Sequence, residues 1–237
     1  MWNNYFFNIQ AKYSMRLSTK KPLVIRFDGK DVTKNKDINL FYNIKYGFID
    51  SLKQSAIHFS KKYHCLAIFG SDEISFIFKD PLILLKDLSS DIPSYSNETI
   101  SLFSQYFFYF FNNIYTKEKI FFHGKCFSIP EEKIESYIKY RSGIIKNVMT
   151  TYFLIMNNDY KVENLEQRID RCKKYRDFNE LSDAVNGYLF FDGNKIDLYD
   201  YLNGNITIIE DEKDNDNNNF ELNSNSNIGM DIEFLDF

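Results

Sequence analysis

The sequence predicts an α+β fold: an antiparallel sheet in ferredoxin-like β-α-β-β-α-β order, helices on one face, and a C-terminal extension of helices and short strands. Three observations lead there. Two apolar, β-favouring runs, 65–69 and 74–78, flank the polar knot Gly70-Ser71-Asp72-Glu73, as the strands of a tight hairpin flank their turn. Ahead of them Phe41, Ile44, Phe48, Leu52, Ala56 and Phe59 recur at helical steps. Four Pro and nine Gly in 237 residues are too few for a turn-rich β-sandwich.

Taken in order, residues 1–20 read as an irregular lead-in or short helix, with Tyr13, Met15 and Leu17 available to pack. Lys20-Lys21-Pro22 punctuates it, and Leu23 to Phe27 is the first strand, ending on Asp28-Gly29. A polar loop with Lys30, Lys34 and Lys36 leads to a helix expected over 40–62, which crosses back over the sheet. The hairpin follows and Asp80-Pro81 stops it, with a Ser-rich loop to Glu98. A helix over 98–115 is aromatic on nearly every side, which predicts burial on both faces. Residues 119–129 read as a strand, and 131–157 as a helix opened by Pro130 and two acids. A charged helix is expected over 161–176 and a short segment over 181–185. Short strands follow over 189–191 and 205–209, around turns at Asp192-Gly193-Asn194 and Asn203-Gly204. Residues 1–130 then form the catalytic core, 131–209 the C-terminal part of the same domain, and 210–237 an Asn/Asp-rich tail too polar to order itself.

Composition narrows the function classes. From Glu210 to Phe237 there are nine acidic residues and one basic, a net of −8, which leaves residues 1–209 at +4. A mildly basic body with an acidic tail permits a polyanionic substrate. The tail ends in Asp231-Ile232-Glu233-Phe234-Leu235-Asp236-Phe237, an alternation read first as disordered, with a partner-binding peptide or an electrostatic decoy as the other readings. Cys65, Cys126 and Cys172 lie far apart with no ligand spacing, so structural zinc is not expected and core thiols are. His123 is read as structural. The segment from Met1 to Phe7 lacks the pattern of a secretion signal, and no apolar run is long enough to span a membrane. A soluble cytoplasmic protein is the expectation.

The chemistry concentrates at two acidic turns. Asp28 and Asp72 are 44 residues apart, the length of a loop, a helix and a strand, and in a β-α-β-β unit the end of the first strand neighbours the hairpin turn. Asp28, Asp72 and Glu73 meeting at one sheet edge would repel unless a divalent cation sat among them. Carboxylates from two sheet loops around two Mg²⁺ ions suit nucleotidyl transfer, and Mg²⁺ brings a nucleoside triphosphate with it. The lysines at 30, 34 and 36 and the amides of 29–33 are the candidates to hold its phosphates. Each motif also has a bland reading, as a strand-ending turn, a hairpin and a solvated loop. Arg141-Ser142-Gly143-Ile144-Ile145-Lys146-Asn147 is polar enough to touch nucleic acid or to be a helix surface.

These residues resemble a family. Val24-Ile25-Arg26-Phe27-Asp28-Gly29-Lys30 is similar to a strand ending in Asp-Gly-Arg, and Gly70-Ser71-Asp72-Glu73-Ile74-Ser75-Phe76 to a Ser-Asp-Glu-Tyr-Ser-Phe turn. Both belong to the tRNA(His) guanylyltransferases and the guanylyltransferase-like 3′–5′ polymerases. Phe122-His123-Gly124-Lys125 resembles their Phe-Asp-Gly-Arg strand start, and Tyr137-Ile138-Lys139-Tyr140-Arg141 their Tyr-Leu-x-Trp-Arg helix. Tyr201-Leu202-Asn203-Gly204-Asn205 resembles a late Tyr-Arg-Lys-Gly turn.

The resemblance implies a polymerase-palm-like core that adds nucleotides to the 5′ end of tRNA or a related RNA, after activating that end with GTP or ATP. It implies Asp28 and Asp72 as catalytic ligands shared by two Mg²⁺ ions, the Gly29 carbonyl as a further ligand, and Glu73 as support. Asp28, Gly29, Lys30, Asp31, Val32, Thr33, Ser71 and Asp72 would contact the triphosphate, and Arg141, Lys146 and Asn147 the RNA. The family's tetramers imply a homo-oligomer, dimer or tetramer. Two departures bear on the substrate. A His-Ile-Asn-Asn motif expected after Arg141 reads Ser142-Gly143-Ile144-Ile145-Lys146-Asn147, and a Lys-Asn pair reads Val185-Asn186. Those positions handle the tRNA and its activated end, which points to tRNA repair or another RNA rather than strict tRNA(His) guanylylation. A palm-fold nucleotide cyclase or signalling synthetase, and a palm that only binds nucleotide or RNA, remain the alternatives.

Overall fold

A computed structural model describes residues 15–35, 38–41, 45–205 and 207–209. The expectations for residues 1–14, for Lys36 and Ile44, and for the tail from Glu210 lie outside the described residues.

Strand β1 (Leu23–Gly29) is apolar except at Arg26 and Asp28, and it lies inside the sheet. It pairs antiparallel with β3 (Glu73–Phe78), from Leu23 opposite Phe78 to Asp28 opposite Glu73. Its other side pairs with β4 (Phe122–Ser128), which is the edge. β3 is joined to β2 (Leu66–Gly70) by the expected hairpin, closed through only two residues, Ser71 and Asp72. The four strands stand in the order β4-β1-β3-β2, as the β-α-β-β-α-β reading requires. The extension adds β5 (Tyr188–Phe191), β6 (Asn194–Ile196) and β7 (Ile208–Ile209) beyond β2, giving one seven-stranded antiparallel sheet.

Side chains alternate across the sheet. On one face Phe27 stacks on Phe107 with ring centroids 4.3 Å apart, and Phe76 meets Phe59 at 5.3 Å. Helices α1 (Phe48–Tyr63) and α3 (Ser96–Ile114) supply those partners. Rings meeting edge-on or offset at such distances bury large area in favourable geometry. On the other face Val24, Arg26 and Asp28 share a side with Glu73, Ser75 and Ile77. Helix α4 (Ile134–Met156) crosses this second face: its Tyr137 hydroxyl lies 3.1 Å from Ser75 Oγ, and its Arg141 reaches Glu73.

Several elements differ from their sequence reading. Helix α1 starts at Phe48, not near 40, although Phe41 and Leu40 fit its spacing. Leu40 is buried in a loop, and the Phe41 ring packs on Tyr152 at 5.4 Å and Phe153 at 5.7 Å of α4. Tertiary packing thus imitates helical periodicity there. The Asp80-Pro81 stop also begins helix α2 (Pro81–Leu88): the Asp80 carboxylate accepts the Leu82 N–H at 3.0 Å, and Pro81 takes the first turn. In α3 burial follows a single stripe, Thr99, Phe103, Phe107 and Phe111, while Tyr109 stays 64% exposed. Being aromatic all round did not bury the helix all round, because α3 lies at the surface of the layer. The helix expected over 161–176 shortens to α5 (Leu165–Cys172), capped by Asn164. Helices α6 (Ser182–Asn186) and α7 (Leu198–Leu202) flank β5 and β6, and β6 is a strand the sequence reading did not place.

Candidate active site

Two backbone segments meet at one end of the second face. The Gly29 N–H donates to the Asp72 carbonyl at 2.7 Å, which ties the end of β1 to the β2–β3 turn. Glycine is needed for that approach: a Cβ on Gly29 would lie 2.7 Å from Val32 Cγ2 and 3.1 Å from the Asp72 carbonyl. The turn itself is tight, with Ser71 buried at φ 50°, a left-handed conformation that side-chain residues adopt at a cost. The Ser71 hydroxyl donates to Asp72 Oδ1 at 3.0 Å. Asp28 and Asp72, far apart in sequence, therefore stand on adjoining turns.

Glu73 does something else. Its side chain is 5% exposed, and Arg141 grips both carboxylate oxygens: Nε donates to Oε1 at 2.8 Å and Nη2 to Oε2. Arg26 Nη2 adds a contact to Glu73 Oε2 at 3.2 Å and also pairs with Asp28 Oδ2. The three carboxylates thus do not converge on one cation. Among the described residues no three His, Cys, Asp or Glu side chains gather where they could hold a metal. Two arginines occupy the place the sequence reading gave to the cation at Glu73, and Asp28 and Asp72 are left as two part-buried oxygen donors, Asp28 with one oxygen on Arg26.

Charge pairing, not burial, distinguishes Asp72 from Glu73. Burial pushes the Asp72 carboxyl above its ordinary range, against the Ser71 hydroxyl and the more distant Arg26 charge. No cation of a described residue lies within ion-pair distance of it. Burial also raises Glu73, and its bonds to Arg141 pull the other way. Asp28 keeps one oxygen outside the Arg26 pair, and its side chain is 36% exposed. Asp72 is a largely buried carboxylate with no described counter-ion, on a turn whose backbone is bonded to the end of the strand that carries Asp28. Carboxylate and backbone oxygens of this kind are the donors a hard divalent cation takes.

The triphosphate candidates sort by what the backbone already uses. The Gly29 amide is spent on Asp72, and the Lys30 amide on the Phe121 carbonyl at 2.8 Å. Asp31 takes φ 60° and precedes a 3₁₀ turn, Val32–Lys34, whose first amides have no acceptor inside the turn. The amides of Asp31, Val32 and Thr33 are the ones left for an anion. The Val32 side chain is a core residue packed under Gly29, and Lys34 is paired with Asp31 at 2.6 Å.

The RNA candidates change most. Arg141 is a buried partner of Glu73 and not a surface contact. The Asn147 carbonyl oxygen Oδ1 accepts from Arg168. Lys146 alone faces an open cleft, of about 370 Å³, shared with Ser142, Asn186 and Lys195. Arg26 was missed as a site residue, although a charge inside Leu-Val-Ile-Arg-Phe, two residues before Asp28 and so on its face, was the available signal. His123, expected to be structural, is exposed and lies opposite Asp28 in the β1–β4 register.

No family model matches the sequence, and no curated protein does. Solved structures do match the fold. A bacterial tRNA(His) guanylyltransferase-like protein in complex with ATP superposes with a TM-score of 0.54 at 15% identity, covering 81% of this chain and 84% of that one. The chain has the tRNA(His) guanylyltransferase-like fold. A bacterial guanylyltransferase-like protein in complex with GTP gives a TM-score of 0.53 at 16% identity, over 80% of this chain and 83% of that one. The tRNA(His) guanylyltransferase of Saccharomyces cerevisiae gives 0.48 at 18%, over 80% and 93%. Within this guanylyltransferase-like fold, the sheet end that carries Asp28 and Asp72 is where two loops present carboxylates beside free backbone amides.

Proposed function

We propose that the chain is a metal-dependent nucleotidyltransferase that adds nucleotides in the 3′–5′ direction to the 5′ end of tRNA or a related RNA. One observation carries the reading: the bond from Gly29 to Asp72 joins two carboxylate-bearing turns in a fold whose solved representatives include complexes with ATP and GTP. Asp28 and Asp72, with the Gly29 carbonyl, would hold the metal. Divalent cations at such a pair supply charge neutralisation for the attacking and leaving oxygens of a phosphoryl group.

The chain's own residues do the rest. The Ser71 hydroxyl orients Asp72. Arg141 and Arg26 fix Glu73, which anchors the hairpin under α4 and would support the site from there. The amides of Asp31, Val32 and Thr33 and the Lys30 side chain bind the triphosphate of GTP or ATP. No described helix is long and apolar enough to cross a membrane. The cytoplasm is the proposed place of work.

The test is incubation with Mg²⁺, labelled GTP or ATP, and a 5′-truncated tRNA, with products resolved by length. Elongated RNA is the expected product. Asp28→Asn should keep the thermal melt, since this side chain is part-exposed, and lower turnover by at least about 10²-fold. An Asp28→Asn protein with full activity sinks the metal assignment. A cyclic or oligonucleotide product made without RNA would replace the RNA reading with a cyclase or signalling synthetase.

A further inference from the structure

The edge strand β4 has one covered face and one open face. Phe122 points to α3, with ring centroids 5.3 Å from Phe107 and 5.2 Å from Phe111. Gly124 lets the same helix close down, because a Cβ there would lie 2.9 Å from Ile100 Cγ1. Alternation places His123 and Lys125 on the other side, with Asp28 and Arg26, and Phe121, the residue before the strand, continues the same spacing. The register confirms it, with His123 opposite Asp28 and Lys125 opposite Arg26. The next residue on that side, Phe127, is covered by the Tyr137 ring of α4 at 5.9 Å. Cover by α4 therefore stops at Phe127.

What is left is a stripe of three residues that runs past the candidate active site. Phe121 is 71% exposed, and His123 and Lys125 are exposed. Neither His123 nor Lys125 makes a side-chain hydrogen bond or ion pair with another described residue. The stripe starts beside the triphosphate loop, where the Phe121 carbonyl holds the Lys30 amide. An exposed aromatic ring in line with a lysine and an imidazole donor on an open sheet face is how single strands are held: bases stack on the ring and phosphates meet the charge and the donor.

We propose that the open face of β4 binds about two nucleotides of single-stranded RNA and leads their end to Asp28. Phe121 stacks a base, and Lys125 with His123 holds the adjoining phosphates. The occupant follows from the Lys125 charge, the net +4 of residues 1–209, and the register that sets His123 opposite Asp28. The proposal rests on the RNA reading of that site.

The experiment is anisotropy of a labelled single-stranded RNA hexamer with a 5′-monophosphate, titrated with the full chain and its variants. Phe121→Ala should weaken binding about tenfold, the scale of one lost stack. Lys125→Ala should reduce the slope of log affinity against log salt by about 1. Phe121→Trp should bind as the unsubstituted chain does and lose indole fluorescence as RNA is added, with Trp2 supplying the background. ATP affinity, measured by calorimetry, should stay within about twofold in all three variants. Hexamer binding unchanged in both alanine variants overturns the proposal, as does an equal loss of ATP binding, which would make the stripe part of the triphosphate site. A chain that binds the hexamer through Phe121 and extends no RNA leaves the stripe standing and removes the proposed reaction. A chain that binds no hexamer yet extends 5′-truncated tRNA removes the stripe and leaves the proposed reaction standing.

Discussion

Gly29 decides more than either aspartate beside it. Its amide bonds the Asp72 carbonyl, and the space above its Cα is taken by Val32 and by that same carbonyl. Any side chain there must push the β2–β3 turn away from β1 or push Val32 out of the core. Gly29→Ala is therefore expected to cost about 1–3 kcal/mol, the range for overpacking a closed site. It should also lower nucleotide affinity, because the two carboxylates separate. Urea denaturation and ATP titration check both parts; a variant as stable as the parent would show that the turn gives way without strain.

Among the elements, α4 is the one that converts a sheet into a site. It lays Tyr137 on Ser75 and Arg141 on Glu73, and so closes one side of the face on which Asp28 lies. The Glu73 carboxylate is nearly excluded from water, so its charge depends on the two arginines. Removing one partner of a buried ion pair leaves the other charge uncompensated. Arg141→Met is expected to destabilise the fold by roughly 3 kcal/mol, the lower end of the range for breaking a buried pair, because Arg26 still reaches Glu73. Chemical denaturation measures it, and a loss below about 1 kcal/mol would mean that Arg26 satisfies Glu73 alone.

At the scale of the whole molecule, helices cover most of both sheet faces, and the densest aromatic packing lies between the sheet and helices α1 and α3. All three cysteines are buried, Cys172 against α4 rather than in this layer. Burial pushes the Cys126 thiol up to about 12 and Cys172 up to about 11, and it raises Cys65 as well. Thiolate is the reactive form, so the folded chain should react with an aromatic disulfide reagent far more slowly than the denatured chain, which should show three thiols. Rapid labelling of one thiol in the native protein would reveal local opening near that residue.

The strand and hairpin elements were legible because their signals are local. Alternation and β-branched runs set β1, β2 and β3, and Ser71-Asp72 set the turn. Asp28 and Asp72 could be paired from the β-α-β-β order alone, since that order brings the first strand beside the hairpin. Other features depend on partners remote in sequence. Leu40 and Phe41 match the spacing of α1 but pack against other elements from a loop, and the exposed side of α3 is as aromatic as its buried side. Arg141 reads as a polar helix surface until the helix is laid over Glu73.

By itself, then, the sequence determined the antiparallel core, its strand order and the two acidic turns, because hydrophobic period and turn chemistry act over a few residues. Only the tertiary structure decided which acid is enclosed by arginines and which keep an oxygen free. Glu73, one residue from Asp72, is enclosed by arginines from β1 and α4, while Asp28 and Asp72 stay at the rim. The same crossing of α4 leaves Phe121, His123 and Lys125 uncovered. Burial and charge pairing depend on what lies across the sheet, and no run of neighbouring residues specifies that.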